Sequence, residues 1–370
     1  MKQLSLVPTI HSFSTTQAFA EAFELGKDDL VLTNAYIWKP NFEDLSLSCD
    51  VCFQEQYGTG EPSDRMVEAL MKDIHKPYKR IIGIGGGTVM DISKILTLAC
   101  ASPLPDLLDG KIQPKKAREL VLVPTTCGTG SEVTNIAVFA LLDRNTKKGI
   151  ANDLLYAHDA VLIPQLLETL PWNVLATSSI DALTHAIESA LSPIASDLTK
   201  MFSYQAIHLI IDSYKTLRDQ GRQAQKDVVS KLVSASLYAG IAFGNAGCGA
   251  VHAMAYPLGG TFHIAHGETN NALLVPTLRF YQHEGVTGEL DTLLARLGCE
   301  LGCSEETALD ELARLLNCIL PYKALHEYGM TRDMIKTWAE SVYSQQTRLL
   351  KGAPIPMDTA RIMSVYSSAF

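Results

Sequence analysis

Arg80-Ile81-Ile82-Gly83-Ile84-Gly85-Gly86-Gly87-Thr88-Val89-Met90-Asp91-Ile92-Ser93-Lys94 is the stretch on which the fold turns. It opens as a short apolar run, the pattern of a buried strand, and passes through glycines into a helix start. Glycines at such a junction let the backbone approach a pyrophosphate closely, and the free N–H groups and dipole of the helix start favour its negative charge. The ordinary dinucleotide fingerprint asks for Gly-x-Gly-x-x-Gly beside the first strand. Counted from Gly83, its third glycine position holds Thr88, and the motif opens well inside the chain. This is therefore a different phosphate loop.

Working outward, further short apolar runs bounded by turn residues stand at Leu30–Thr33, Val51–Phe53, Leu120–Pro124 and Ala160–Pro164. Alternating with helix-like stretches, they predict a mainly parallel sheet covered by helices, with strands buried on both faces. The run at Leu120 feeds a second loop, Pro124-Thr125-Thr126-Cys127-Gly128-Thr129-Gly130-Ser131-Glu132. Its hydroxyls and glycines offer donors to a diphosphate or to a nicotinamide amide. Ligands in open α/β sheets sit at the carboxyl ends of strands, so one ligand between the two loops is expected.

After Pro171 glycine and proline thin out, and apolar residues recur at three- and four-residue spacing in Leu198–Arg218, Gln225–Phe243, Leu290–Leu301 and Glu305–Leu320. The expected architecture is an α/β dinucleotide-binding domain over residues 1–165 and an all-helical metal and substrate domain over residues 166–370. A length of 370 residues suits two such domains. Charged residues make up only 19%, so little of the chain can be solvated tail.

Lys and Arg number 31 against 40 Asp and Glu, a formal charge of −9, which repels a phosphate backbone and an anionic membrane surface alike. No apolar run approaches the roughly 18–20 residues that span a bilayer, and the opening Met1-Lys2-Gln3-Leu4-Ser5-Leu6-Val7-Pro8 carries no signal-peptide stretch. The expectation is a cytoplasmic protein acting on a small molecule, without nucleic acid or membrane as partner. Eight cysteines are too dilute for a disulfide scaffold. Cys100, Cys127 and Cys318, inside apolar stretches, read as reduced core thiols, and the pair Cys49 and Cys52, with no second pair at zinc-ribbon spacing, as structural.

Four histidines concentrate in two segments of the helical half. In Ser179-Ile180-Asp181-Ala182-Leu183-Thr184-His185-Ala186-Ile187-Glu188, Asp181 and His185 are one turn apart on one helix face, the placement of two ligands of one cation. Downstream, His252 lies in an apolar helical run, and Phe262-His263-Ile264-Ala265-His266-Gly267-Glu268 brings His263 and His266. Three imidazoles (His185, His252, His266) and one carboxylate suit Fe²⁺ or Zn²⁺ better than Mg²⁺ or Ca²⁺.

With both loops, the Asp181–His185 motif and the His252–His266 block in view, the chain resembles the iron-containing (group III) alcohol dehydrogenases, whose fold is shared with dehydroquinate synthase and glycerol dehydrogenase. The resemblance implies metal ligation by Asp181, His185, His252 and His266. It also implies cofactor contacts at Gly86, Gly87, Thr88, Asp91, Thr125, Thr126, Thr129 and Lys148, with NAD or NADP as cofactor and a homo-oligomeric assembly. Two positions depart from the family pattern. Tyr256 stands where relatives often have a second histidine, and Asn34 stands at the end of the second strand-like element, where NAD-preferring relatives often carry an acidic residue.

Within the family, Thr146-Lys147-Lys148-Gly149-Ile150-Ala151, Tyr238–Gly247 and Tyr256-Pro257 are similar to the branch that interconverts 4-hydroxybutyrate and succinate semialdehyde. The resemblance thus implies hydride transfer between a hydroxy acid and a nicotinamide, with the metal as Lewis acid. Tyr256 and His263, both within the metal block, are the candidate proton relays. The alternatives are the same chemistry on a neutral primary alcohol, diol or glycerol, a carbon–oxygen lyase, or a non-catalytic nucleotide- or metal-sensing module.

Overall fold

The computed structural model describes residues 3–99, 101–144 and 146–370, so Cys100 lies outside the described residues. Chain contacts divide into two compact units. One runs from Leu6 to Leu170, and the other comprises Pro171–Phe370 with the N-terminal residues up to Ser5.

Among the described residues the first unit carries eight strands: β1 (Thr9–Ser12), β2 (Asp29–Thr33), β3 (Asp50–Phe53), β4 (Arg80–Gly85), β5 (Glu119–Pro124), β6 (Ile136–Leu141), β7 (Thr146–Ala151) and β8 (Asp159–Leu162). Six of them form one sheet in the order β1-β8-β5-β4-β2-β3, every pairing parallel. The five apolar runs of the sequence correspond to β2, β3, β4, β5 and β8. Burial on both faces holds for β2, β4 and β5. It does not hold for β3, whose residues are all half-buried, because β3 is an edge strand.

Three further strands lie outside those five runs. β1 is mostly exposed and pairs with β8 across nearly the whole unit, helped by His11 Nε2 at 2.7 Å from Asp159 Oδ1. β6 and β7 form an antiparallel hairpin outside the main sheet, with Val138 opposite Gly149 and Phe139 opposite Lys148. The core beneath β4 and β5 gathers Ile81, Leu120, Leu122, Met90, Ile92 and Phe139, all fully buried.

The second unit is helical, and among the described residues no strand follows Leu162. Its axis is the helix Trp172–Leu191, in which every residue from Ser179 to Leu191 is buried. A helix buried all round must satisfy its polar side chains internally. Ser179 accordingly shares a 2.8 Å hydrogen bond with Tyr214, and Ser189 one with Ser203. The helices Asp197–Gln220 and Gln225–Ala246 pack against it. The first of these starts on a capping box, in which Ser196 Oγ accepts from Thr199 N and Thr199 Oγ1 from Ser196 N.

Cys127 is buried as expected of a core thiol, whereas Cys318 is exposed. Cys318 occupies the outer face of the amphipathic helix Ala308–Ile319, whose inner face is Leu309, Leu312, Leu315, Leu316 and Ile319. No helix of the described residues is long and apolar enough to cross a membrane.

Candidate metal centre and phosphate cradle

Asp181 and His185 project from one face of the buried axial helix, and two further elements bring histidines to them. His252 comes from the helix Ala250–Phe262 and His266 from the first residue of the helix His266–His283. Asp181 Oδ1 lies 3.5 Å from His252 Nε2, 3.7 Å from His266 Nε2 and 4.0 Å from His185 Nε2. Four donors bound at about 2.1 Å around one tetrahedral cation stand roughly 3.4 Å apart. The cluster is therefore a slightly open cage for one divalent ion, and its nitrogen-rich donor set matches Fe²⁺ or Zn²⁺.

Electrostatics prepare the donors. Burial is the largest influence on Asp181 and opposes its charge, yet His185, His266 and His252 together hold its carboxyl well below the usual carboxylate range. Burial pushes His185 down to about 4, which keeps its lone pair free at neutral pH. Burial also opposes charge on His252, but Glu188 and Asp181 outweigh it and raise that imidazole to about 9.

Glu188 is the residue that ligand spacing did not reveal, although it sits one turn beyond His185 on the same helix. Its Oε2 is 2.5 Å from His252 Nδ1 and accepts from Gly249 N at 2.9 Å, while Oε1 accepts from Val251 N at 2.6 Å. A carboxylate on Nδ1 fixes the tautomer, turns Nε2 toward Asp181 and strengthens it as a donor. Glutamine has one acceptor oxygen for these three donors. We expect Glu188→Gln to weaken cation affinity about 10–100-fold. Metal content after dialysis against graded free cation measures this, and an unchanged titration would refute it.

Other residues complete the cage. Phe243 stacks on the His185 ring at 4.1 Å, and Asn270 Nδ2 donates to Asp181 Oδ1 at 2.8 Å. Cys248 Sγ lies with the His185 and His252 nitrogens inside a 4.8 Å cluster. The Tyr256 ring is 5.8 Å from that of His266. His263 is exposed on the left-handed turn that ends the Ala250–Phe262 helix (φ 55°).

In the α/β unit the two loops predicted to cradle phosphate follow β4 and β5, which are paired to their ends, Gly85 opposite Pro124. Gly86 caps the helix Gly87–Leu96, and a β-carbon on Gly87 would lie 2.9 Å from Thr129 Cγ2. The two loops thus close on one another where a side chain would fill the space. Thr125 N donates to Gly85 O at 3.0 Å, Thr126 lies beside Gly86, and Thr88 Oγ1 donates to Gly60 O at 2.9 Å.

Asp91 faces inward and serves to lock the loops. It accepts from Ser131 Oγ at 2.7 Å and from Val138 N at 2.9 Å. Fully buried Lys94 donates to Ser131 Oγ and Ile136 O, each at 2.6 Å, and burial lowers it to about 8 against the pull of Asp91. Lys148, on β7, is ion-paired with Asp109 at 2.7 Å. The Glu132 carboxyl is buried without a hydrogen-bond partner among the described residues, and burial raises it to about 7. The close approach of the loops at Gly86 and Gly87, where a β-carbon would meet Thr126 and Thr129, fits a diphosphate that approaches the backbone.

Asn34 follows β2 and caps the helix Ala35–Phe42. Its amide donates to Glu55 Oε2 at 2.8 Å and to Gln54 Oε1 at 3.3 Å. Glu55 is an acidic group at this strand end that residue 34 by itself did not disclose.

The chain is similar to known proteins over its whole length. A model of the iron-containing alcohol dehydrogenase family matches residues 10–164, and one of the Fe-containing alcohol dehydrogenase family, C-terminal, matches residues 175–370. The chain is 44% identical over 371 aligned residues, covering 100% of both proteins, to a 4-hydroxybutyrate dehydrogenase of Clostridium kluyveri. It is 35% identical over 303 residues, 79% of this chain and 75% of the other, to long-chain-alcohol dehydrogenase 1 of Geobacillus thermodenitrificans. In fold it is similar to sulfoacetaldehyde reductase from Bifidobacterium kashiwanohense, solved with NAD+. That likeness has a TM-score of 0.84 at 21% identity, over 100% of this chain and 99% of the other.

Proposed function

The chain belongs to the iron-containing alcohol dehydrogenase family, and from that premise we propose that it interconverts 4-hydroxybutyrate and succinate semialdehyde with NAD(H). The full-length relationship to the Clostridium kluyveri enzyme carries this reading. The convergence of Asp181, His185, His252 and His266 supports the metal dependence that it requires. In the reading, the α/β unit holds the dinucleotide and the helical unit the metal and substrate. It extends to a cytoplasmic homo-oligomer, which cell fractionation and light scattering test.

The overall reaction moves a hydride from the carbinol carbon to the nicotinamide ring and releases the hydroxyl proton. Asp181, His185, His252 and His266 would hold a divalent cation, which when bound would supply Lewis-acid polarisation of the substrate oxygen. The protein's own groups do the rest. Glu188 holds His252 in one tautomer, and Phe243 fixes the plane of His185. Gly86, Gly87, Thr125, Thr126 and Thr129 would seat the diphosphate with backbone and hydroxyl donors. Asp91 and Lys94 keep the loops closed behind them.

We assign the proton relay to Tyr256 Oη, because the tyrosine ring neighbours His266, whereas His263 stands on an exposed turn. Tyr256→Phe should lower turnover about a hundredfold and flatten one limb of the pH–rate profile, while His263→Ala stays within about twofold. If Tyr256→Phe leaves both turnover and profile unchanged, the relay is not Tyr256.

A substrate panel tests the assignment. Protein reconstituted anaerobically with Fe²⁺ or Zn²⁺ should turn over 4-hydroxybutyrate at least about a hundredfold more efficiently than 1-butanol, since a site built for a carboxylate leaves its donors unpaired by an analogue lacking one. The opposite order would assign a neutral alcohol, in line with the long-chain-alcohol relative.

A further inference from the structure

We propose that Glu55 is the residue by which this protein selects NAD(H) and rejects NADP(H). The inference rests on the dehydrogenase reading above and concerns a position outside the loops and ligands already described. It starts from topology. From β2 the chain goes outward to β3 and then returns to β4 on the other side of β2, so the strand order reverses between β2 and β4. A ligand of an open parallel sheet lies at the carboxyl ends of the strands at such a reversal. The glycine cradle follows β4 there, and Asn34 follows β2 beside it.

With the pyrophosphate at the start of the helix Gly87–Leu96, the adenosine ribose reaches toward the end of β2. An acidic side chain at that place accepts hydrogen bonds from the ribose hydroxyls. Residue 34 has no charge to offer, and both hydrogens of its amide are used on Gln54 and Glu55. The charge arrives instead from the next strand. Glu55 lies in the short 3-10 turn after β3, and its carboxylate spans the end of β2, Oε1 accepting from Ala35 N at 2.7 Å and Oε2 from the Asn34 amide at 2.8 Å.

Three consequences follow from that placement. The carboxylate is fixed by two hydrogen bonds at the positive end of the helix Ala35–Phe42, where its charge is stabilised. Each oxygen has a further lone pair for a ribose hydroxyl. The Glu55 carboxylate accepts from the neutral Asn34 amide and from Ala35 N, with no ion pair to a lysine or arginine among the described residues, so a 2′-phosphate there would meet an uncompensated negative charge. The loop that follows also touches the cradle, because Gly60 O accepts from Thr88 Oγ1 at 2.9 Å. Glu55 therefore belongs to the same end of the sheet as the phosphate loop.

The experiment uses the full-length chain and measures dissociation constants of NADH and NADPH by nicotinamide fluorescence, for the wild type and for Glu55→Gln and Glu55→Ala. The wild type should favour NADH about a hundredfold or more, and both variants should reduce the ratio at least about tenfold, through weaker NADH and tighter NADPH binding. Adenosine 2′,5′-bisphosphate should displace NADH from the variants at lower concentration than from the wild type. A wild type that binds both dinucleotides equally overturns the proposal, as does a ratio that stays within about twofold in both variants. In those two cases the dehydrogenase reading survives. Failure of the wild type to bind either dinucleotide would remove that reading together with the proposal.

Discussion

Asp181→Ala should abolish tight cation binding and, with it, measurable alcohol oxidation. Asp181 contributes the one negative charge among four donors, and its Oδ1 faces the other three at 3.5–4.0 Å. A unit charge pair at about 4 Å and an effective dielectric near 20 is worth about 4 kcal/mol, and the cation carries two charges. A loss of at least about a thousandfold in affinity is therefore expected. The variant also leaves Asn270 Nδ2 without its acceptor, so part of the cost falls on stability. Elemental analysis after dialysis and anaerobic turnover measure the two effects together. A variant that keeps one equivalent of cation and wild-type turnover would show that the metal is held elsewhere.

Gly267→Ala should damage both stability and activity, although glycine 267 donates no ligand. A β-carbon there would stand 1.8 Å from the carbonyl oxygen of Thr177 on the axial helix. No rotamer relieves this overlap, because both partners are backbone. The helix His266–His283 must move away from Trp172–Leu191, at the upper end of the roughly 1–3 kcal/mol usual for overpacking. That movement carries His266 away from Asp181, and a displacement of about 1 Å at a reacting centre costs on the order of a hundredfold in rate. Gly260→Ala makes the contrast. Gly260 is exposed in the helix Ala250–Phe262 with nothing near its missing β-carbon, so alanine should stabilise by up to about 1 kcal/mol. Thermal melts and metal retention of the two variants should diverge, and equal behaviour would remove the argument from close helix packing.

Much of the site was legible because its signals are local. The strand-to-glycine-to-helix run at Arg80–Lys94 and the one-turn spacing of Asp181 and His185 are set by backbone periodicity and need no knowledge of distant partners. The same holds for the apolar runs that became β2, β4, β5 and β8. Where local pattern and environment part company, the reading shifts. Val51–Phe53 is apolar enough for a central strand but forms the half-buried edge strand β3, and Cys318 sits in an apolar stretch yet on the outer face of its helix. The strand β1 is polar, and only its pairing with β8 makes it a strand.

By itself, then, the sequence determined the α/β and helical halves and marked the candidate phosphate loops and the Asp181–His185 pair, since each is written in the spacing of near neighbours, whereas the approach of His252 and His266 to that pair needed the fold. Tertiary structure alone decided that Glu188 reaches His252 across 64 positions, that Asp91 and Lys94 turn inward to lock the loops, and that Glu55 brings its charge to the end of β2. Those are meetings of side chains far apart along the chain, and a carboxylate's role is set by the donors that surround it after folding, which no local period encodes.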